Sequence, residues 1–201
     1  MTWALFDYGV GNLHSLRKAL EAAGADPVIT TEAADLERAA VAVLPGVGAF
    51  GAVMERLEAA RDVLRDRHRD GRPILGVCIG AQVLHDTSAE SLGVRGLGLV
   101  PGHVERLPAS AGKVPHMGWN QVDPSRDSLF AGLDGRPFVY FVHSFAAPVL
   151  PETVATTTYG MVFSAAVRSG NTVGLQFHPE KSSAIGARIL LNAVNTLETS
   201  A

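Results

Sequence analysis

Cys78 is the only cysteine in the chain and stands between two glycines in G-V-C-I-G, residues 76 to 80. A nucleophile at the apex of a sharp strand-to-helix turn is crowded by the residues two positions away on either side, and glycine there relieves the crowding. The spacing therefore predicts a nucleophile elbow that presents a thiol. At the start of a helix, unpaired backbone N–H groups would favour the anionic sulfur. The N–H of Ile79, next in the chain, would point at the same region and could hold an oxyanion. A buried structural cysteine is the plain alternative. The paired glycines directly after an apolar run favour the elbow.

A thiolate that works as a nucleophile needs a base, and the base needs an orienting group. Of the seven histidines, His14, His68 and His85 fall in polar, helix-type stretches and read as surface residues. His178 ends the strand-like run 172–177 and opens H-P-E. In an extended segment His178 and Glu180 project to the same side, with Pro179 fixing the backbone between them, so the carboxylate can hold the imidazole's tautomer. His143 also ends an apolar run, 139–142, but has no carboxylate in its own segment. The sequence distance between Cys78 and His178 costs nothing if their strands lie side by side with their C-terminal ends together.

Residues 46–51, G-V-G-A-F-G, match the dinucleotide pattern G-x-G-x-x-G. That pattern belongs after the first strand, with an acidic residue about twenty positions on. Here it follows the third strand-like run, and the next strand, Ile74 to Val77, is apolar throughout. The same loop reads equally well as backbone that approaches a small substrate and offers it N–H groups. A non-catalytic, Rossmann-like nucleotide-binding module is the rival class of function, and it predicts indifference to loss of the thiol.

The elements that must position these groups alternate strand and helix patterns along the first half: strands at 3–6, 28–30, 41–44 and 74–77, a helix over 13–23 and a charged amphipathic helix over 51–69. This is the pattern of a parallel sheet with crossover helices. From residue 97 the texture changes to short alternating runs at 103–107, 113–116, 138–142 and 162–167, which read as antiparallel. Ser169, Gly170 and Asn171 supply a hairpin turn between 165–168 and 172–176. A last helix covers 183–197. The fold class expected is α/β, a single domain with a mostly parallel central sheet, flanking helices and added antiparallel strands in the C-terminal half.

A chain of 201 residues, 47% hydrophobic, can bury one large core. Lys and Arg number 17 against 20 Asp and Glu, a net charge of −3 that leaves no basic surplus for nucleic acid. No N-terminal signal pattern and no uninterrupted apolar run of membrane-spanning length is present, so a soluble, cytoplasmic protein with no membrane partner is expected. One cysteine cannot form an internal disulfide.

The motifs P-G-V-G at 45–48, G-V-C-I-G-A-Q at 76–82 and H-P-E at 178–180 resemble those of the class I glutamine amidotransferases. Three further stretches, D-Y-G-V-G-N-L at 7–13, H-M-G-W-N at 116–120 and H-P-E-K-S at 178–182, are similar to the glutaminase subunits of imidazole glycerol phosphate synthases, which serve histidine biosynthesis. The resemblance spans nearly the whole chain and implies one type 1 glutamine amidotransferase domain over residues 1–201. It implies Cys78 as nucleophile, His178 as base and acid, Glu180 as its orienter, and oxyanion N–H groups from Val47 and Ile79. It implies that Gly48, Gln82, Glu90 and Ser144 hold glutamine, and that Asn12, Trp119, Asn120, Tyr140 and Lys181 face a separate cyclase subunit in a heterodimer. Ammonia would pass to that cyclase, which forms imidazole glycerol phosphate and an aminoimidazole carboxamide ribotide. No cofactor or metal is implied. Ile79 and Ala81 stand where the family often has Leu and Met, and Phe145 stands where H-S-Y is common. Sibling glutaminases of the pyridoxal phosphate or purine pathways are the nearer rivals, and the D-Y-G-V-G-N-L and H-M-G-W-N stretches argue against them.

Overall fold

A computed structural model describes residues 1–9 and 13–199. In the first half, β1 (Thr2–Phe6), α1 (Leu13–Ala22), β2 (Asp26–Thr30), α2 (Ala33–Arg38), β3 (Val41–Leu44), α3 (Phe50–Arg56), α4 (Arg61–Arg69), β4 (Ile74–Val77) and α5 (Ile79–Gln82) follow one another, with the four strands where the sequence predicts them. The second half adds β5 (Thr87–Ser88), β6 (His103–Arg106), β7 (His116–Gln121), β8 (Asp123–Pro124), β9 (Phe138–His143), β10 (Phe145–Ala146), β11 (Thr153–Thr158), β12 (Val162–Ser169), β13 (Thr172–Leu175) and α6 (Ser183–Glu198).

Eight strands form the main sheet in the order β2-β1-β3-β4-β13-β12-β11-β8. From β2 to β13 the pairing is parallel, and from β13 to β8 it is antiparallel. The strand that joins the two regimes is β13, which the hairpin loop Gly170-Asn171 returns from β12 to lie parallel to β4, with Leu175 opposite Val77. Outside this sheet, β7 and β9 form a two-stranded antiparallel ladder, and β10, β6 and β5 a small sheet in which β5 and β6 run parallel.

Because successive strand residues point to opposite faces, the continuous apolar runs of β1, β3 and β4 feed two cores. Trp3, Leu5, Val41, Val43, Leu75 and Val77 pack with α1, α6 and the β7–β9 ladder. Ala4, Phe6, Ala42, Leu44 and Ile74 pack with α2, α3, α4 and α5 on the other side.

The structure corrects expectations for two segments and two histidines, and adds elements that the sequence did not indicate. The helix expected over 51–69 is three pieces, α3, a 3-10 turn over Glu58–Ala60, and α4. The run 113–116 is not a strand; Pro115 has no N–H to donate, and the strand begins at His116 and continues to Gln121. Helix α2 and strand β11 carry patterns too short or too polar to read alone. His85 is buried rather than a surface residue, and burial lowers its pKa; His68 is half-buried, with Nδ1 2.9 Å from the Thr172 hydroxyl.

Arg67 is the least expected member of the core, at 1% exposure on α4. Its guanidinium donates to the carbonyls of Leu36, Ala39, Ala40 and Pro73 at 2.8 to 2.9 Å, joining the end of α2 to the segments entering β3 and β4. No carboxylate pairs with it among the described residues, and burial, with the nearby charge of Arg72, lowers its pKa to about 10. The fork adds to the Ala42 N–H at the Pro73 carbonyl and supplies side-chain donors to the Leu36, Ala39 and Ala40 carbonyls, so Arg67→Met should remove donors from acceptors in the core. We expect a loss of about 3 kcal/mol or more in urea unfolding, the scale of charged hydrogen bonds and orphaned acceptors; a loss within experimental error would contradict this role.

Candidate active site

Cys78 sits at the apex between β4 and α5 with φ +48° and ψ −108°, a backbone conformation that residues with a side chain rarely adopt. The flanking glycines are explained by contact rather than by flexibility. A Cβ on Gly80 would lie 2.0 Å from the Leu44 carbonyl oxygen, and one on Gly76 would lie 2.5 Å from the carbonyl oxygen of Gly80. The turn is thus pressed against the end of β3, and no side chain fits at either flank. Helix α5 spans only Ile79–Gln82, so the effect of a long helix dipole is largely absent. The Ala81 and Gln82 N–H groups donate to the Cys78 carbonyl, which leaves those of Ile79 and Gly80 as the local source of positive potential.

Parallel pairing of β4 with β13 brings His178 beside this apex. A Cβ on Gly46 would lie 2.9 Å from His178 Cε1 and 3.2 Å from Cys78 Cβ, so the histidine ring, the cysteine and the Gly-rich loop meet at one point. His178 Nδ1 is 2.7 Å from Glu180 Oε1, and the pair is shielded, with side chains 3% and 8% exposed. The expected pairing is present, but by a different backbone route: β13 ends at Leu175, and Pro179–Lys181 is a 3-10 turn that swings Glu180 under the ring. His178 Nε2 is buried with no completed hydrogen bond among the described residues. Burial disfavours the charged ring, yet the nearby Cys78 sulfur and the Glu180 carboxylate outweigh it and raise the His178 pKa to about 9.

His143, the other candidate base, has the opposite environment. It is buried in the β7–β9 ladder with Nδ1 2.9 Å from the Phe145 carbonyl oxygen and Nε2 3.1 Å from His116 Nδ1. Burial first, then the neighbouring His116, lowers its pKa to about 3. Both ring nitrogens are engaged, which leaves none to take a proton from Cys78.

A cleft of about 120 Å³ opens on Cys78 and is lined by Gly48, Ile79, Gln82, Glu90, Val142, His143, Ser144 and Phe145. All four residues expected to hold a substrate therefore line one cleft with the thiol. Glu90 Oε2 accepts the Phe50 N–H at 2.6 Å and Ser91 Oγ accepts the Gly51 N–H at 3.0 Å, so residues 90–91 cap α3 from across the cleft. This disposes of the dinucleotide reading of 46–51: a carboxylate already occupies the helix start where a pyrophosphate would bind. Val47 lines a second cavity of about 80 Å³ behind the histidine, with Pro45, Gly46, His178, Glu180 and Lys181.

Asn12 lies outside the described residues. Trp119, Tyr140 and Lys181 come together at the surface: Trp119 is 52% exposed, its ring meets Tyr140 edge-on at 6.1 Å, and Lys181 Nζ lies 5.9 Å from the Tyr140 ring centroid. Met117 and Phe138 extend the same exposed face of the ladder. Asn120 does not join them. It is on the inner face, with Nδ2 3.0 Å from the Thr158 carbonyl oxygen and 3.3 Å from His116 Nε2.

Two residues that sequence reading passed over belong to the site. Gln176 Nε2 is 3.7 Å from Cys78 Sγ, and Ser182, fully buried, donates to the His178 carbonyl at 2.7 Å and accepts the Tyr140 N–H at 2.9 Å. Their signal was adjacency to H-P-E, in Q-F-H-P-E-K-S. Among the described residues no group of three His, Cys, Asp or Glu could hold a metal ion, and no helix is long and apolar enough to cross a membrane.

The class-I glutamine amidotransferase model matches residues 4–195, and the chain belongs to that family. Within that family it belongs to the glutamine amidotransferase subunits of imidazole glycerol phosphate synthase. It is 48% identical to the synthase subunit HisH of Methanothermobacter thermautotrophicus over 96% of this chain and 98% of that one. It is 45% identical to HisH of Methanosarcina barkeri, over 95% and 96% respectively. The fold is similar to that of a glutamine amidotransferase from Thermotoga maritima, with TM-score 0.66 at 21% identity, covering 99% of this chain and 84% of that one.

The positive φ at Cys78 generates a stability prediction independent of any activity. Cys78→Ala retains the strain and Cys78→Gly relieves it, so the glycine variant should be the more stable of the two by about 1 kcal/mol in chemical denaturation. Equal stabilities would mean that the turn is not strained.

Proposed function

We propose that the chain hydrolyses glutamine to glutamate and ammonia through Cys78, His178 and Glu180, and passes the ammonia to a cyclase subunit in a cytoplasmic heterodimer. The observation that carries this reading is the strained Cys78 apex opening on a substrate-sized cleft while the buried His178–Glu180 pair stands at the end of the adjacent parallel strand.

The Cys78 thiolate attacks the side-chain amide carbon, and the N–H groups of Ile79 and Val47 take the charge of the tetrahedral oxyanion. The C–N bond breaks as the His178 imidazolium gives its Nε2 proton to the departing nitrogen, which leaves as ammonia. Water then loses a proton to the neutral Nε2 and attacks the thioester; the C–S bond breaks, and glutamate and the thiolate–imidazolium pair are regenerated. Gln82, Glu90, Ser144 and the backbone at Gly48 hold the glutamine. Phe145 lines the cleft without a hydroxyl, so any contact made there is apolar.

Ammonia released into water is captured as ammonium, which is not a nucleophile, so transfer needs a sealed interface. The exposed Met117, Trp119, Phe138, Tyr140 and Lys181 face suits a cyclase subunit, since docking there would remove from water an apolar surface that lies on a ladder beside the site. The HisH name of the close relatives supports the same partner, and the products follow from it: imidazole glycerol phosphate and an aminoimidazole carboxamide ribotide in histidine biosynthesis.

Cys78→Ala should lower glutamine hydrolysis by several orders of magnitude, and His178→Ala nearly as far, because members of such a unit do not contribute additively. Wild-type turnover in Cys78→Ala would end this reading. The raised His178 pKa means that the imidazolium persists up to pH about 9 and is lost above it, so kcat/KM should fall on the alkaline side near that value. Glu180→Gln removes a carboxylate that raises this pKa, and the alkaline limb should move to lower pH; a limb that stays in place would show that Glu180 does not support the charged ring. Adding the cyclase with its nucleotide ligand should raise hydrolysis by about tenfold or more, a coupling of about 1.4 kcal/mol. Trp119→Ala should diminish that stimulation more than the basal rate, as paired steady-state assays would reveal.

A further inference from the structure

Cys78 Sγ and the β7–β9 ladder are joined by hydrogen bonds whose direction is determined link by link. The Phe145 carbonyl can only accept, so His143 Nδ1, 2.9 Å away, carries a proton. A neutral ring then accepts at Nε2, and His116 Nδ1, 3.1 Å away, must be the donor. His116 Nε2 is left as an acceptor and faces the Asn120 amide nitrogen at 3.3 Å. Both histidines are held neutral by burial, with pKa values of about 4 and about 3. On its other side the Phe145 carbonyl accepts from Gln82 Nε2 at 2.7 Å. The same Gln82 nitrogen lies 3.1 Å from Gln176 Oε1, and Gln176 Nε2 lies 3.7 Å from Cys78 Sγ.

We infer that His116, His143 and Gln176 are positioning residues: with Asn120 and Gln82 they form one buried hydrogen-bonded line that fixes the cleft wall at 143–145 and aims an amide donor at the Cys78 sulfur. The inference rests on Cys78 being the nucleophile. Two donors converge on the Phe145 carbonyl, so that single oxygen ties the ladder's inner face to the amide pair behind the thiol. Removing the His116 donor leaves His143 Nε2 a buried acceptor with no donor in this line, a cost the ring can relieve by turning and drawing its Nδ1 from the Phe145 carbonyl. The wall would then withdraw, Gln82 would follow its acceptor, and Gln176 would lose the partner that orients it. Packing alone predicts something different, because His116 also stacks between Phe141, with ring centroids 4.7 Å apart, and Tyr159, at 4.0 Å.

The test separates these roles by a pair of substitutions in the full chain. His116→Phe keeps a stacked ring and removes the donor; His116→Asn keeps an N–H at the Nδ1 position and removes the ring. Labelling by iodoacetamide, followed by mass, reads Cys78 alone because the chain has no other cysteine. His116→Phe should slow labelling by about tenfold, the scale of one hydrogen bond to a charged group, and should raise KM for glutamine more than it lowers kcat. His116→Asn should stay close to the wild-type rate. Gln176→Met cuts the line at the sulfur and should give the same slowing, which decides the matter even if His116→Phe does not fold. Wild-type labelling in His116→Phe or in Gln176→Met, or greater damage in His116→Asn than in His116→Phe, would overturn the inference. A wild-type chain that labels readily yet turns over no glutamine would end the functional reading instead, and the labelling comparison would still judge the line.

Discussion

The register between β4 and β13 is the constraint on which the site depends. Leu175 lies opposite Val77, so the two strands end together and their next residues emerge at the same edge of the sheet. Cys78 N–H donates to the Leu175 carbonyl at 2.7 Å, which extends the pairing into the elbow itself. A one-residue slip would send the side chains after each strand to opposite faces. The register is secured because both strands are buried on both faces and each is bonded to a neighbour on its other side, β3 for β4 and β12 for β13. The strain at Cys78 is tolerable only inside such a frame, since the close contact of Gly80 with Leu44 leaves the turn no room to relax.

Two histidines near the same cleft are driven to opposite protonation states by their surroundings. His178 has a carboxylate on one nitrogen and the sulfur near the other, and these outweigh the cost of burying its charge. His143 has a carbonyl on one nitrogen and a second histidine on the other, and among the described residues no carboxylate is bonded to it, so burial wins. The separation assigns distinct work to groups of the same type. A ring that stays charged suits proton delivery to a leaving group, whereas a neutral ring with both nitrogens engaged suits the fixing of a wall.

The β7–β9 ladder has two faces with different tasks. Its outer face presents Met117, Trp119, Phe138 and Tyr140 to solvent, and its inner face carries His116, Asn120, Phe141 and His143. The backbone of the same ladder touches the site directly, because the Tyr140 carbonyl accepts the His178 N–H at 2.9 Å while the Tyr140 N–H is held by Ser182. A partner that presses on the outer face would therefore act on segments bonded to His178 and to Phe145, without needing a long path through the core.

The glycine-flanked cysteine, the H-P-E grouping and the alternation of strand and helix were legible in the chain because they are local: steric crowding at a turn, a short reach from imidazole to carboxylate, and side-chain periodicity all act over a few residues. The family resemblance, rather than any local pattern, pointed to Gly48, Gln82, Glu90 and Ser144, and it offered no reason for them to line one cleft. Tertiary structure decided the rest. It placed Glu180 through a 3-10 turn rather than an extended segment, set Asn120 on the inner face, buried His85 and Arg67, and gave His178 and His143 opposite surroundings. That difference depended on which groups lie against each ring across the sheet. Such contacts come from strand pairing between distant segments, and no local pattern encodes them.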